Sequence, residues 1–275
     1  MRFDESYARA AARWPAGTAE LRVPTSWGET SLLAAGPAGA PAVLLLHGGG
    51  ATATAWADLA GRLAGRFRLL APDQPGDPGR STSTRPFRST ADLVSWLAEL
   101  QEVIGARHLV GHSAGGHLGL SSALADGDRW DTLTLLDPTA CFAGFSPRYL
   151  VHALPALVRP TDRRVRRFLA WETRGRALPP DWLDAYAHGA TDVRGAPIVR
   201  TRRPSREQLA ALQVPTLVVV AGGSRVHDAA RVAASAARLP RVTVVEVPGA
   251  THHTMPLLDA AVVATAVAGH LAAVG

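Results

Sequence analysis

Lysine and asparagine are absent from the 275-residue sequence, and cysteine occurs once, as Cys141. A single thiol excludes an internal disulfide and any cysteine-based metal cluster, so the expected role of Cys141 is that of a small buried hydrophobe. Long apolar runs are missing too. Stretches such as Ala42–Leu46 and Leu217–Ala221 are strand-length, far below the ~20 residues of a membrane helix. Met1–Glu5 does not lead into the apolar segment of a secretory signal, and a cytoplasmic location is expected. No His-Glu-x-x-His or similar ligand spacing occurs, so no metal is expected. Nor is there a nucleic-acid-binding motif or a stacking platform interleaved with basic residues.

Without lysine, all 29 basic residues are arginine, and the formal net charge is +6. The charge is local. Residues 148–206 hold 13 Arg against 5 Asp or Glu, a net of +8, leaving −2 for the rest. Hydrophobic residues make up 47% of the chain, enough for one large α/β core carrying an insertion.

Two short stretches, Glu20–Val23 and Ser31–Ala34, are bounded by Pro24, Gly28 and Gly36 and read as opening strands. Ala42–Leu46 is a continuous apolar run, as a strand covered on both faces requires. Helical and strand patterns then alternate: Trp56–Leu63, Phe67–Ala71, Thr90–Ile104, His108–Val110, Ala114–Leu124 and Leu133–Leu136. Such alternation predicts crossovers and a mainly parallel sheet with helices on both faces. It stops at Pro138 and resumes at Pro215 with strand Thr216–Ala221, helix Asp228–Arg238, strand Val242–Val247 and helix Leu257–Ala273. Residues 1–138 and 214–275 are thus read as the core, and 139–213 as a helical cap inserted after the sixth strand. Helical fragments are expected in the insertion at Arg163–Trp171 and Asp181–Ala187. No fixed-period repeat is present.

The sharpest motif is Gly111-His112-Ser113-Ala114-Gly115, placed between a strand and a helix. Small residues two positions either side allow a tight turn that lifts the Ser113 hydroxyl to the helix N-terminus, where the Ala114 amide and the helix dipole meet a developing oxyanion. A second motif, His47-Gly48-Gly49-Gly50, follows a buried strand, and its glycines let backbone amides approach a ligand. Gly49 is the expected second oxyanion donor, with Gly48 or Gly50 if the turn shifts. His47 is read as a loop-holding residue.

On these motifs the chain resembles the α/β-hydrolase superfamily. The resemblance extends to Asp73–Ser81, to Leu136-Asp137-Pro138 and to Pro248-Gly249-Ala250-Thr251-His252. It implies a serine nucleophile, a histidine base, an acid after the sixth or seventh strand, an eight-stranded α/β-hydrolase sheet and no cofactor. His252 is the implied base, with His253 as its neighbouring rival. Asp73–Ser81 is implied to be structural.

The sequence departs from the family at the acid. Two residues past Gly223, where the pattern expects a carboxylate, stands Arg225. Two substitutes remain open, Asp137 and Asp228, and each has a plainer role as a turn or helix cap. The expected function is a serine hydrolase cleaving a carboxylic ester or thioester, with a small-molecule partner, anionic if Arg163, Arg164, Arg166, Arg167, Arg202 and Arg203 bind it. A solvated lid face explains those arginines as well. Trp171 and Trp182 are core residues or acyl-pocket walls. Two alternatives stay open: a lyase, cyclase or acyltransferase on the same fold, and a ligand-binding protein with an impaired triad.

Overall fold

The computed structural model describes residues 2–193 and 199–273; positions 194–198, within the expected insertion, lie outside the described residues. The chain opens with helix α1 (Arg2–Ala11), strands β1 (Ala19–Thr25), β2 (Gly28–Ala35) and β3 (Ala42–Leu46), helix α2 (Ala57–Leu63) and strand β4 (Arg68–Pro72). Helix α3 (Thr90–Ile104), β5 (His108–His112), α4 (Ala114–Ala125) and β6 (Thr132–Leu136) follow. Next come four helices, α5 (Pro147–Val158), α6 (Asp162–Glu172), α7 (Pro180–Asp192) and α8 (Arg206–Ala210). The chain closes with β7 (Thr216–Ala221), α9 (Ala229–Ala236), β8 (Val242–Val247) and α10 (Ala260–Ala272).

The strands form one sheet in the order β1-β2-β4-β3-β5-β6-β7-β8. β2 pairs antiparallel with β1 and β4, and every later pairing is parallel. β6 and β7 are buried along their whole length, and in β7 the burial reads as the unbroken apolar run Leu217–Ala221. On one face Leu44, Leu109 and Val218 pack with Trp96, Leu97 and Leu100 of α3 and Val232 of α9. On the other, Val43, Leu45 and Val219 pack with Trp56, Leu59 of α2 and Val263 and Val267 of α10. Each fully buried Leu or Val contributes about 1.5–3 kcal/mol to that packing.

α5, α6 and α7 share a separate apolar cluster of Ala153, Val165, Phe168, Leu169, Trp182 and Ala187, which rests on Ala51, Ala55 and Leu257 beside the C-terminal ends of the strands. α1, α5 and the short α8 are the helices for which the sequence reading made no provision. α1 buries Phe3, Tyr7 and Ala10 at helical spacing but is otherwise strongly polar. α5 is N-capped by Ser146 and carries Pro155 in its interior, a residue that reads as a breaker. The last helix begins at Ala260 and not at Leu257, because Leu257, Leu258 and Asp259 instead turn back to the Thr254 carbonyl.

Candidate active site

Ser113 is the junction between β5 and α4, with φ 55° and ψ −117°. A non-glycine residue in such a conformation is strained and is held only by its surroundings. Here the surroundings are backbone: the Ser113 N–H donates to Leu136 O (3.0 Å), and its carbonyl accepts from His117 N (3.0 Å). The flanking glycines are sterically required. A Cβ on Gly111 would lie 2.4 Å from Gly115 O, and one on Gly115 would lie 2.2 Å from Leu46 O.

Three side chains that the sequence reading named from separate loops meet here. Ser113 Oγ lies 2.8 Å from His252 Nε2, and His252 Nδ1 lies 2.6 Å from Asp137 Oδ2. Asp137 follows β6 with φ 43°, another strained non-glycine residue. Its carboxylate also accepts from Ala221 N (3.1 Å), Ser224 Oγ (2.8 Å) and His227 Nε2 (3.0 Å). Burial pushes its pKa up, but the two imidazoles His227 and His252 outweigh that and hold it far below the usual carboxylate range. For His252 burial lowers the pKa and the Asp137 partner only partly offsets this, so the ring is neutral at pH 7.

Asp228, the other candidate acid, is exposed and N-caps α9 by accepting from Arg231 N (3.0 Å). Arg225, at the position where a carboxylate was expected, lies against the insertion: its guanidinium donates to Trp171 O and sits 4.7 Å from the Trp171 ring centre. His253 turns away from Ser113 toward Glu172 Oε2 (2.9 Å), edge-on to Phe168 and Tyr186.

Glu172, at the C-terminal end of α6, had no signal in the sequence. Its fully buried carboxylate accepts from the backbone amides of His252 (3.0 Å) and His253 (3.1 Å) as well as from the His253 ring. Burial raises its pKa, and these His253 and His252 interactions more than compensate, keeping it below the ordinary glutamate value. His112 was legible only as part of the elbow. Its Nε2 donates to His252 O (2.9 Å), and its ring lies 4.6 Å from that of His252. Burial keeps His112 neutral, well below the ordinary histidine pKa.

The glycine loop after β3 is fixed from below. His47 Nε2 accepts from Gln74 N (2.9 Å), its Nδ1 faces Gly48 O (2.8 Å), and burial lowers its pKa to about 4, a loop-holding arrangement. Gly50 N donates to Asp77 Oδ1 (2.9 Å), so that amide is engaged. Gly49 faces α4, a Cβ placed on it standing 3.7 Å from Ala114 Cβ. Asp73 braces the same region, accepting from Ala53 N (2.8 Å), Arg80 N (2.8 Å) and Tyr7 Oη (3.0 Å).

Of the basic residues of the insertion, Arg166 pairs with Asp162 (2.8 Å) and Asp184 (2.7 Å), while Arg163, Arg164, Arg167, Arg202 and Arg203 show ordinary surface positions or partial exposure. Trp182 is buried in the apolar cluster of the insertion, whereas Trp171 is half-buried and stacks on His152 at 3.9 Å. Among the described residues no group of three or more His, Cys, Asp or Glu could hold a metal ion, and no helix is long and apolar enough to cross a membrane.

A strand-turn-helix serine, a histidine on the loop after β8 and a carboxylate after β6, set along a mainly parallel eight-stranded sheet, define a hydrolase-fold site. Residues 43–266 match the sequence profile of the Alpha/beta hydrolase family, and the chain belongs to that family. It is similar to carboxylesterase YbfK of Bacillus subtilis, 25% identical with 80% of this chain and 76% of that protein covered. It is also similar to a carboxylesterase termed nap from the same organism, 24% identical over 83% of this chain and 78% of that one. Among solved structures, carboxylesterase CesB (YbfK) superposes with a TM-score of 0.90 at 22% identity, covering 98% of this chain and 97% of that one. The naproxen esterase of B. subtilis superposes with a TM-score of 0.87 at 23% identity, covering 95% and 94%. At such identity these likenesses speak to the fold.

Proposed function

We propose that the protein is a serine esterase in which Ser113 is the nucleophile, His252 the general base and Asp137 the acid that orients the imidazole. The observation that carries this reading is the continuous hydrogen-bonded line from Ser113 Oγ through His252 to Asp137, at 2.8 and 2.6 Å. Neutral His252 takes the Ser113 proton as Oγ attacks the ester carbonyl, and Asp137 stabilises the imidazolium that results. The proton then passes to the leaving alcohol or thiol, and water, deprotonated by His252, releases the acyl group. The Gly49 and Ala114 amides are assigned to the oxyanion; the engagement of Gly50 N by Asp77 favours Gly49 over Gly50. The carboxylesterase relatives support an ester over other carbonyl substrates.

Residues 139–213 are read as a cap on a core of 1–138 and 214–275, because α5, α6 and α7 carry their own apolar cluster above the loop after β3. Tyr149, Phe168, Trp171 and Tyr186 gather near His253 in this cap, which favours a small substrate with an apolar acyl group. The test is turnover of p-nitrophenyl acetate, butyrate and octanoate. Wild type is expected to hydrolyse at least one of them, with Ser113→Ala reduced ~10³-fold or more. A folded wild type idle on all three and on the matching thioesters contradicts the reading. Burst kinetics from an accumulating acyl-enzyme separate it from lyase or cyclase chemistry on the same fold.

A further inference from the structure

Beyond the Ser113 site, a cavity of about 490 Å³ opens where the loop after β7 meets the start of α5 and the end of α6. Four arginines line it, Arg148, Arg174, Arg225 and Arg231, together with Ser224, His227 and Asp228. Among the described residues none of these four guanidiniums has a carboxylate within ion-pair distance, although the chain pairs Arg13, Arg107, Arg129, Arg166 and Arg176 in this way. The positive charges of Arg174 and Arg148 are near enough to Arg225 to lower its pKa, with Glu172 opposing them and burial contributing most. The one acid on the wall, Asp228, is occupied with capping α9.

His227 forms the inner wall of the cavity and ties it to Asp137. Its side chain is 1% exposed, and its Nε2 donates to Asp137 Oδ1 at 3.0 Å.

We propose that this cavity binds a multiply charged oxyanion, its charge met by the forked guanidiniums of Arg148, Arg174, Arg225 and Arg231. Phosphate groups and polycarboxylates share this chemistry. The cavity adjoins the proposed ester site through His227 and Ser224, which both bond Asp137, and anion occupancy is read without substrate.

Isothermal titration of the full chain with inorganic phosphate, sulfate and citrate at matched ionic strength tests the proposal. Phosphate, sulfate or citrate is expected to bind saturably and at least tenfold more tightly than acetate, whose single charge serves as the control. The order of phosphate and citrate then tells a phosphoryl source from a polycarboxylate one. The double variant Arg148→Ala/Arg174→Ala, both exposed positions, is expected to weaken phosphate binding tenfold or more. Arg62→Ala/Arg66→Ala, which removes the same charge from exposed positions at and beyond the end of α2, is expected to leave binding unchanged. Absence of saturable binding by phosphate, sulfate and citrate, binding no tighter than that of acetate, or an equal loss in both double variants overturns the proposal. Circular dichroism of each variant confirms that any loss is not one of folding.

Discussion

At the residue scale the main issue is the carboxylate. Arg225 occupies the position where the family pattern expects an acid, and Asp137 and Asp228 could not be separated by spacing alone. The physical difference between them is burial and company: Asp137 is fully enclosed and holds two imidazoles, while Asp228 is exposed and caps a helix. Asp137→Asn should therefore lower kcat by ~10⁴ with the fold intact, since the amide cannot orient and stabilise the imidazolium in the same way. Asp228→Ala should leave kcat unchanged and cost about 1 kcal/mol through the lost N-cap, read from urea unfolding. The pH profile follows from His252. Its pKa is lowered by burial from the ordinary 6.5, and protonation removes the base, so the acid limb of kcat/KM should be centred below pH 6.5. An acid limb centred above 6.5 contradicts that.

At the scale of elements, strands β3 and β7 and the elbow were legible because burial on both faces writes itself as unbroken apolar sequence and because the tight turn demands glycine. α5 was not, since Pro155 lies inside it and many of its apolar side chains, among them Val151, Leu154 and Val158, are exposed. Glu172 was equally hidden. Its function depends on α6 ending beside a loop some 80 residues later in the chain, and a lone acid at the end of a helix carries no local sign of that. This contact ties α6 directly to the histidine loop. Glu172→Ala should strip the His252 and His253 amides of their acceptor and leave His253 unpaired, costing about 3–5 kcal/mol in unfolding free energy. It should also lower kcat more than it raises KM, because the base is displaced from Ser113. A variant with wild-type stability and kcat would show the contact to be incidental.

For the molecule as a whole, the helices between β6 and β7 are joined to the rest of the chain at both ends of the site. Tyr7 of α1 reaches Asp73 beneath the glycine loop, while Arg2 and Arg9 of the same helix pair with Asp192 and Asp184 of α7. The exposed ion pairs contribute little, because solvent screens them. Tyr7→Phe, by contrast, removes a buried hydrogen bond and should cost about 1–2 kcal/mol while leaving both ion pairs in place, as thermal unfolding at two salt concentrations would show. What matters for the proposed reaction at Ser113 is which side chains the parallel sheet delivers to its C-terminal edge. The central claim is that this edge presents Ser113 as an activated nucleophile. Incubation with a fluorophosphonate, followed by intact mass and peptide mapping, tests it most directly. The account predicts a single adduct per chain on Ser113, lost in Ser113→Ala and greatly slowed in Asp137→Asn; an unmodified folded protein, or an adduct on any other residue, would contradict it.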